Sequence, residues 1–405
     1  MKKILSLGIL FLAIQWNVQA QHADSLLIKK AISEVQKRYA PDKRTAIFQV
    51  QIQDGSPLKI EVETTNSRAV DSLKHLLEQQ KVQAVIHENL LPSKDLGDKI
   101  YGVANLSVSN NRVNPNHPAE MATQMILGTP VEILKKKDGY SLVRTPDGYI
   151  SWTDNSGVAA MNKAAFLKWQ QSEKVVVAVD YTYSYQQASA ASMRVSDLVK
   201  GNILQVLGKE KDFLKVVYPD QRIAYVLAKD VSNYKQWVNR PNPDAAKILE
   251  TAKTMLGVPY LWGGTSIKGV DCSGFTKTSF FLNGIVLPRD ASQQALVGEK
   301  VDIYEQDTVS LKQALKNLKP GDLLFFAGGK NRTPNPRVTH TAIYMGNGEF
   351  IQSAGLVRIN SMIPGAKNYD DYQSRTLVGA RRMLTAVGTT EVTRIDHHPF
   401  YQTQP

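Results

Sequence analysis

The spacing of apolar and polar positions changes along the chain and predicts three kinds of structure. In the first part, an apolar residue recurs every three to four positions from Asp24 to Tyr39 and from Asn66 to Lys81, which predicts two amphipathic helices. Short segments around Asp54-Gly55 alternate with a period of two, as paired strands do. We therefore expect residues 21–95 to form a small N-terminal α+β unit.

The middle of the chain contains an internal repeat of short alternating segments separated by turns. Gly128 and Gly201 are 73 residues apart, and so are Pro146 and Pro219. A constant offset over this distance indicates two tandem copies of one small β unit. The repeated order of strand, turn and strand favours two small β-barrels, at residues 98–160 and 173–238.

The last part of the chain mixes helical and strand patterns. A Pro-rich linker, Asn239–Pro243, separates it from the second barrel, and we expect an α+β domain at residues 244–384. Residues 385–405 are polar and are expected to form a tail. The histidines of this tail, His397 and His398, are expected to be disordered surface residues and not metal ligands.

The first twenty residues are typical of a secretory signal peptide. Lys2 and Lys3 precede a short apolar run, and Val18-Gln19-Ala20 offers small residues for cleavage near Ala20. The apolar run is too short to span a bilayer, so we expect no stable membrane insertion. Residues 1–20 are thus expected to direct export, with the mature protein periplasmic or secreted.

Composition narrows the range of partners and cofactors. The 405-residue chain has a formal net charge of +12, but its Lys and Arg residues are dispersed and no nucleic-acid-binding motif occurs, so we expect no nucleic-acid partner. An exported protein with one cysteine does not depend on disulfides. No metal-ligand cluster or phosphate-binding loop is present, so neither a metal nor another cofactor is expected. The oligomeric state is left open.

The single cysteine lies where a reactive thiol would be placed. A Gly-rich run leads into Asp271-Cys272-Ser273-Gly274, and Asp271 is a suitable N-cap for a helix that begins at Cys272. Backbone N–H groups and the helix dipole at that position stabilise a thiolate, the nucleophilic form of cysteine. The backbone N–H of Cys272 is also a candidate oxyanion donor, with the hydroxyl of Tyr260 as a weaker second one.

A base for this nucleophile can be identified by elimination. His340 is the one histidine between residues 244 and 384. A histidine base needs an acceptor for its second ring nitrogen, and Gln352 on the next predicted strand is the polar candidate. The two side chains share a face when Ala342 pairs with Gln352. That register requires a three-residue loop or a bulge, with Gly348 at positive φ.

These motifs resemble those of the NlpC-type cell-wall cysteine peptidases, a papain-like α+β family. The matching segments are Pro259–Gly264, Asp271–Phe275, Leu287–Asp290, Pro320–Leu323 and His340–Gly346. The double β unit resembles the tandem bacterial Src-homology-type barrels of one subgroup, the γ-D-glutamyl-L-diamino acid endopeptidases, also called dipeptidyl-peptidase VI. The resemblance implies an α+β fold in which a papain-like C-terminal domain follows two small β-barrels and the N-terminal unit.

The resemblance also implies a substrate and a set of site residues. The subgroup cleaves the γ-D-glutamyl-L-diamino acid bond of peptidoglycan stem peptides with a free N-terminal L-Ala, in wall turnover or recycling. Cys272 matches the nucleophile, His340 the base, and Gln352 a third position where many members have histidine. The expected substrate-binding residues are Trp262, Asp271, Ser273 and Asp290 in the last domain, and Glu120 and Tyr149 in the first barrel. Glu120 and Asp271 would together hold the ammonium group of the substrate.

Two other functions are compatible with the sequence. The protein could be a wall-binding protein with a degenerate catalytic domain, since Gln352 departs from the commonest pattern. It could also be an amidase or acyl transferase on the same scaffold, because a nucleophile alone does not fix the bond or the acceptor. The preferred diamino acid is likewise left open.

Overall fold

The computed structural model describes residues 25–53, 55, 57–331, 333 and 335–402. The predicted signal segment, residues 1–20, lies outside these ranges. The chain divides into two compact units, one ending at Gly97 and one beginning at Asp98. Among the described residues, no helix is both long enough and apolar enough to cross a membrane.

The first unit has two helices packed on a three-stranded sheet. Helix α1 covers residues 25–39. The other elements are β1 (Phe48–Gln53), β2 (Leu58–Thr64), α2 (Ser67–Gln79) and β3 (Ala84–Leu90). Strand β2 is central, antiparallel to β1 and parallel to β3. Apolar residues of both helices and of β2 form one core, including Ile28, Val35, Ile60 and Leu73. The two predicted helices and the paired strands between them are therefore present.

Two seven-stranded antiparallel sheets follow, and they have the same topology. The first contains β4 (Tyr101–Ala104), β5 (Val108–Arg112), β6 (Met121–Ile126), β7 (Pro130–Lys137), β8 (Tyr140–Arg144), β9 (Ile150–Asp154) and β10 (Val158–Met161). The second contains β11 (Lys174–Val177), β12 (Tyr181–Tyr185), β13 (Arg194–Val199), β14 (Ile203–Glu210), β15 (Phe213–Val217), β16 (Ile223–Leu227) and β17 (Val231–Asn233). Each strand of the second sheet starts 73 residues after its counterpart in the first, the offset of the sequence repeat.

Two short helices flank the second sheet. Helix α3 (Lys163–Gln171) connects the two sheets, and α4 (Tyr234–Val238) leads out of the second. The carbonyl oxygens of Trp169, Gln170 and Ser172 at the end of α3 accept hydrogen bonds from the buried ammonium group of Lys174. This contact satisfies acceptors that a helix end leaves without intrahelical partners.

The last part of the chain is built on a six-stranded antiparallel sheet in the order β21-β28-β24-β25-β26-β27. These strands are β21 (Glu299–Lys300), β24 (Leu323–Phe326), β25 (His340–Gly346), β26 (Glu349–Ala354), β27 (Leu356–Ser361) and β28 (Leu377–Arg382). Shorter strands are β18 (Thr265–Ser266), β19 (Gly269–Val270), β20 (Ile285–Val286), β22 (Tyr304–Glu305), β23 (Thr308–Val309) and β29 (Thr393–Arg394). The helices are α5 (Ala245–Thr254), α6 (Cys272–Phe281), α7 (Ala291–Gln294), α8 (Leu311–Asn317) and α9 (Asp371–Thr376).

Alternating residues of this sheet enter two separate cores. Phe325, Ile343 and Ile351 pack with Phe275 of α6 in one core. Phe326, Ala342 and Phe350 enter the other, with Ala314 of α8. The first core fixes α6, and therefore Cys272 at its start, against the central strands of the sheet.

Residues 385–402, whose order the sequence left open, are folded, so the expectation that His397 and His398 are disordered is wrong. Strand β29 pairs with β20, and Ile395 and Tyr401 are buried. The ring of His398 is half-buried, and its Nε2 lies 2.8 Å from the carbonyl oxygen of Pro146 in the first barrel. The buried apolar residues of this segment join a core that contains Phe166 of α3 and Trp237 of α4. Burial of these side chains holds the segment in place.

Candidate active site

Cys272 is the first residue of α6, and Asp271 caps this helix. The Asp271 Oδ1 atom accepts a hydrogen bond of 2.6 Å from the N–H of Gly274. Cys272 is buried, with only 7% of its surface exposed. Burial and the nearby charge of Asp271 raise the pKa of Cys272 to about 12, although backbone N–H groups of Thr341 and Ser273 act in the opposite direction. The expected stabilisation of a thiolate at the helix start is therefore outweighed by desolvation in the resting protein.

His340 and Gln352 form the predicted pair on neighbouring strands. The Nε2 atom of His340 lies 2.6 Å from Oε1 of Gln352, which is fully buried. Because an amide oxygen only accepts, Nε2 must carry the proton, and Nδ1 is left as a base. Burial lowers the pKa of His340, so the resting imidazole is neutral near pH 7. The strand that carries His340 also provides the Thr341 N–H that faces the Cys272 sulfur.

A bulge in the hairpin between β25 and β26 places both side chains together. Gly346 pairs with Glu349 across a two-residue turn, Asn347-Gly348, and the register then shifts so that Tyr344 pairs with Phe350. Continuing this register places Ala342 opposite Gln352, as expected. Gly348 has φ +80°, also as predicted. Of the two solutions that the sequence allowed, the structure has the bulge and not the three-residue loop.

A buried arginine that was not predicted as a site residue connects several that were. The Arg289 side chain is 1% exposed and forms two hydrogen bonds with the Asp271 carboxylate, of 2.6 and 3.1 Å. Its Nη1 also donates to the Ser273 hydroxyl at 3.1 Å, and its Nε to the Thr123 hydroxyl of the first barrel at 2.7 Å. The Asp271 carboxylate also accepts from the N–H of Gly263. Asp271 is therefore surrounded by internal donors.

The first barrel places its two predicted residues against two from the last domain. Nε1 of Trp262 donates to Oε1 of Glu120 at 2.8 Å, and Trp262 is 61% exposed. The Tyr149 hydroxyl donates to Oδ2 of Asp290 at 3.2 Å. Asp290 also lies 3.9 Å from Arg289. The predicted substrate-binding residues are thus brought together across the boundary between the barrel and the last domain.

Tyr260, the second candidate oxyanion donor, lies close enough to Cys272 to be influenced by its charge. Partial burial raises the pKa of Tyr260, and the charges of Cys272 and Asp271 raise it further. The hydroxyl therefore keeps its proton at neutral pH, as a hydrogen-bond donor must.

Sequence reasoning missed three polar residues of this region. Arg289 lies inside a matching motif, Leu287–Asp290, and an arginine beside an acid in an apolar stretch was a usable signal. Asn360 and Asp370, which contact the amide nitrogen of Gln352, gave no such signal because they lie 8 and 18 residues away in a segment without motifs. Among the described residues, no group of three His, Cys, Asp or Glu side chains could hold a metal ion.

Comparison with protein families identifies two parts of the chain. Residues 257–382 match the NlpC/P60 family, and residues 111–158 match the bacterial dipeptidyl-peptidase Sh3 domain. The first match contains Cys272, His340 and Gln352, and the second contains Glu120 and Tyr149. The matches confirm the predicted resemblance.

Individual relatives support the same assignment. The chain is 29% identical over 273 residues to the gamma-D-glutamyl-L-lysine dipeptidyl-peptidase of Bacillus cereus. The aligned region covers 65% of this chain and 76% of that protein. It is 24% identical over 269 residues to dipeptidyl-peptidase 6 of Lysinibacillus sphaericus, covering 63% of this chain and 89% of that one.

A solved structure shows the same fold. An NlpC/P60 family protein from Bacillus cereus superposes with a TM-score of 0.57 at 24% identity, over 70% of this chain and 99% of the other. This likeness, with the two family matches, confirms the predicted fold class of a papain-like C-terminal domain preceded by β-rich domains. The protein is therefore a cell-wall cysteine peptidase with an NlpC/P60 domain that follows SH3-like domains.

Proposed function

We propose that this peptidase hydrolyses the γ-D-glutamyl-L-diamino acid bond of peptidoglycan stem peptides that carry a free N-terminal L-Ala. The observation that carries the proposal is the contact of the first barrel with the candidate site, through Glu120–Trp262 and Tyr149–Asp290. The first barrel, at this position, limits the length of peptide that can extend beyond the scissile bond. The names of the relatives, which are dipeptidyl-peptidases, agree with a short segment.

In the proposed reaction, Cys272 is the nucleophile and His340 the general base. Nδ1 of His340 takes the thiol proton as the sulfur attacks the γ-carbonyl carbon of D-Glu. The negative charge then forms on the carbonyl oxygen, where the N–H of Cys272 and the Tyr260 hydroxyl are the candidate donors. The imidazolium gives its proton to the leaving amine of the diamino acid, and the C–N bond breaks. Water then attacks the thioester carbonyl carbon and gives a proton to His340; the C–S bond breaks, the new carboxyl group is released, and His340 returns the proton to the Cys272 sulfur.

The charges around the barrel contact suit a substrate with an ammonium group. Three carboxylates, those of Glu120, Asp271 and Asp290, lie in this region; the Arg289 guanidinium pairs with Asp271 and lies 3.9 Å from Asp290. Since the Asp271 carboxylate already accepts hydrogen bonds from Arg289 and from the N–H groups of Gly263 and Gly274, we propose that Glu120 makes the closest contact with the amine, with Tyr149 and Asp290 beside it. Asp271 and Ser273 then hold the arrangement through Arg289. An acylated amine would lose the charge attraction and require more room.

Digestion of L-Ala-γ-D-Glu-diamino acid peptides tests the reaction. We expect the wild type to release L-Ala-D-Glu, and the Cys272→Ala variant to release none. If the wild type leaves this peptide intact, the proposed bond specificity is wrong.

Blocking the substrate amine tests the role of the barrel. N-acetylation of L-Ala should raise KM at least tenfold, because the carboxylates then lose the charge attraction of the ammonium group and the acetyl group requires more room. The Glu120→Gln variant should lose most of this discrimination, whereas Glu210→Gln, an exposed acid of the second barrel, should retain it. Equal cleavage of free and acetylated peptides by the wild type would reject the amine contact.

We further propose export, since the substrate of such an enzyme lies outside the cytoplasm.

A further inference from the structure

A carboxylate lies directly behind the third member of the proposed triad. Nε2 of Gln352 donates one hydrogen bond to Oδ1 of Asn360 at 2.9 Å and another to Oδ2 of Asp370 at 3.2 Å. The Asp370 side chain is only 12% exposed. Hydrogen bonds thus connect the imidazole of His340, through the Gln352 amide, to the half-buried carboxylate of Asp370.

The two acceptors decide which way the Gln352 amide points. A carboxylate has no proton to give at neutral pH, so only the NH₂ end of the amide can face Asp370. The carbonyl end must then face His340, which places the ring proton on Nε2 and leaves Nδ1 free to act as a base. If the amide turned over, its NH₂ group would face Nε2 and favour the other tautomer, which cannot accept the thiol proton.

Asp370 also supplies a charge that a glutamine cannot. Burial lowers the pKa of His340, and the charge of Asp370 acts in the opposite direction. The other charged groups acting on the imidazole are Asp271, which favours its protonation, and Arg358, which opposes it. The Arg358 guanidinium lies 3.6 Å from Oδ2 of Asp370, but the Arg358 side chain is 48% exposed, so solvent weakens its attraction to the carboxylate.

We propose that Asp370 is a positioning residue that acts on His340 through Gln352, so that the site works as a line of four residues: Cys272, His340, Gln352 and Asp370. The inference rests on the proposed roles of Cys272 and His340. It explains how a chain with a neutral glutamine at the third position keeps both the orientation and part of the charge that an ionised partner would give.

The Asp370→Asn variant isolates this role. Oδ1 of Asp370 accepts from the Gln373 N–H and caps α9, and asparagine caps helices as well as aspartate does. The substitution thus keeps size and cap but removes the charge and the constraint on the amide. Asp371→Asn is the matched control: Asp371 follows directly in the chain, its side chain is 68% exposed, and it pairs with Arg375 on the surface.

Alkylation of the single cysteine by iodoacetamide reads out the Cys272–His340 pair without any peptide substrate. We expect Asp370→Asn to lower the plateau rate of alkylation by about tenfold, as loss of a supporting contact behind a functional residue typically does. The pH at which the alkylation rate rises to this plateau should also be lower in Asp370→Asn, because an imidazolium without the nearby carboxylate loses its proton more easily. Asp371→Asn should match the wild type in both respects.

Two results would overturn the inference. One is that Asp370→Asn has the same alkylation rate and the same pH dependence of that rate as the wild type. The other is a lower rate that accompanies a lower melting temperature without any shift in that pH dependence, which would show a structural role. Since alkylation requires no choice of substrate, failure of the proposed bond specificity leaves this test intact. Where the peptide is cleaved, Asp370→Asn should lower kcat by about tenfold and leave KM nearly unchanged.

Discussion

At the scale of single residues, Arg289 holds together parts of the site that are distant in sequence. Its guanidinium bonds to Asp271 and Ser273, beside the proposed nucleophile Cys272, and to Thr123 in the first barrel. An ion pair at this depth is favourable only while both partners and their hydrogen bonds are present. Removal of one partner leaves the other charge buried and unpaired.

We therefore predict that Arg289→Met lowers the free energy of unfolding by about 3–5 kcal/mol. Urea unfolding followed by circular dichroism measures this loss. Arg375→Met is the control, because the Arg375–Asp371 pair lies on the surface with both side chains more than 60% exposed and should contribute less than about 1 kcal/mol. Equal losses in the two variants would contradict a special role for the buried pair.

The protonation states of Cys272 and His340 predict how activity depends on pH. Burial raises the pKa of the thiol and lowers that of the imidazole, so both groups are neutral at rest. In the proposed reaction, His340 must lose its proton before it can accept one from the thiol. We expect kcat/KM to rise with pH along a limb centred below pH 6.5, the ordinary pKa of histidine. A limb centred above pH 6.5 would show that the imidazolium is stabilised and the pair ionised.

Sequence reasoning reached some of these residues and not others, for physical reasons. Cys272 and His340 were identifiable because the last domain has one residue of each type. Arg289 and Asp370 act through contacts with residues far away in sequence, such as Thr123, 166 positions from Arg289. The pKa of Cys272 was predicted in the wrong direction, because the helix start is visible in the sequence and the burial of the thiol is not.

At the scale of elements, the β25–β26 hairpin shows how a required geometry restricts local structure. The demand that His340 and Gln352 share a face left two solutions, a three-residue loop or a bulge. The sequence does not distinguish them, because Gly346 and Gly348 both accept positive φ. The bulge lets Asn347-Gly348 form a tight turn while the register is corrected one residue earlier.

We predict that Gly348→Ala destabilises the protein more than Gly355→Ala does. Both glycines have similar positive φ, +80° and +75°, so each substitution carries a backbone cost of about 1–2 kcal/mol. A Cβ on Gly348 would also lie 2.5 Å from the side chain of Ile363, whereas one on Gly355 meets no atom within 4 Å. The difference in free energy of unfolding should be about 1 kcal/mol or more. Equal values would show that Ile363 moves away freely.

At the scale of the whole molecule, the two barrels share a topology but not a role at the site. The positions 73 residues after Glu120 and Tyr149 are Met193 and Arg222, so the second copy lacks the acid and the tyrosine that contact the last domain in the first. The repeat in sequence predicted the shared architecture. The two barrels differ in the residues that pack around them, including those of the C-terminal segment. This tertiary packing could not be predicted from the sequence, because the C-terminal segment is short and irregular.

Tyr401 of that segment joins three parts of the unit that begins at Asp98. Its ring packs 6.2 Å from Phe281 of α6, it hydrogen-bonds to Thr129 of the first barrel, and its carbonyl accepts from the Tyr234 hydroxyl of α4. The side chain is 3% exposed.

We predict that Tyr401→Ala lowers the free energy of unfolding by about 3–5 kcal/mol, as expected for truncation of a buried aromatic residue. Tyr181→Ala, at a half-exposed tyrosine of the second barrel, should lower it by about 1 kcal/mol or less. Because the lost contacts belong to the barrel and the peptidase domain alike, both should unfold together at lower urea; a shift confined to one of them would show that the segment does not couple them.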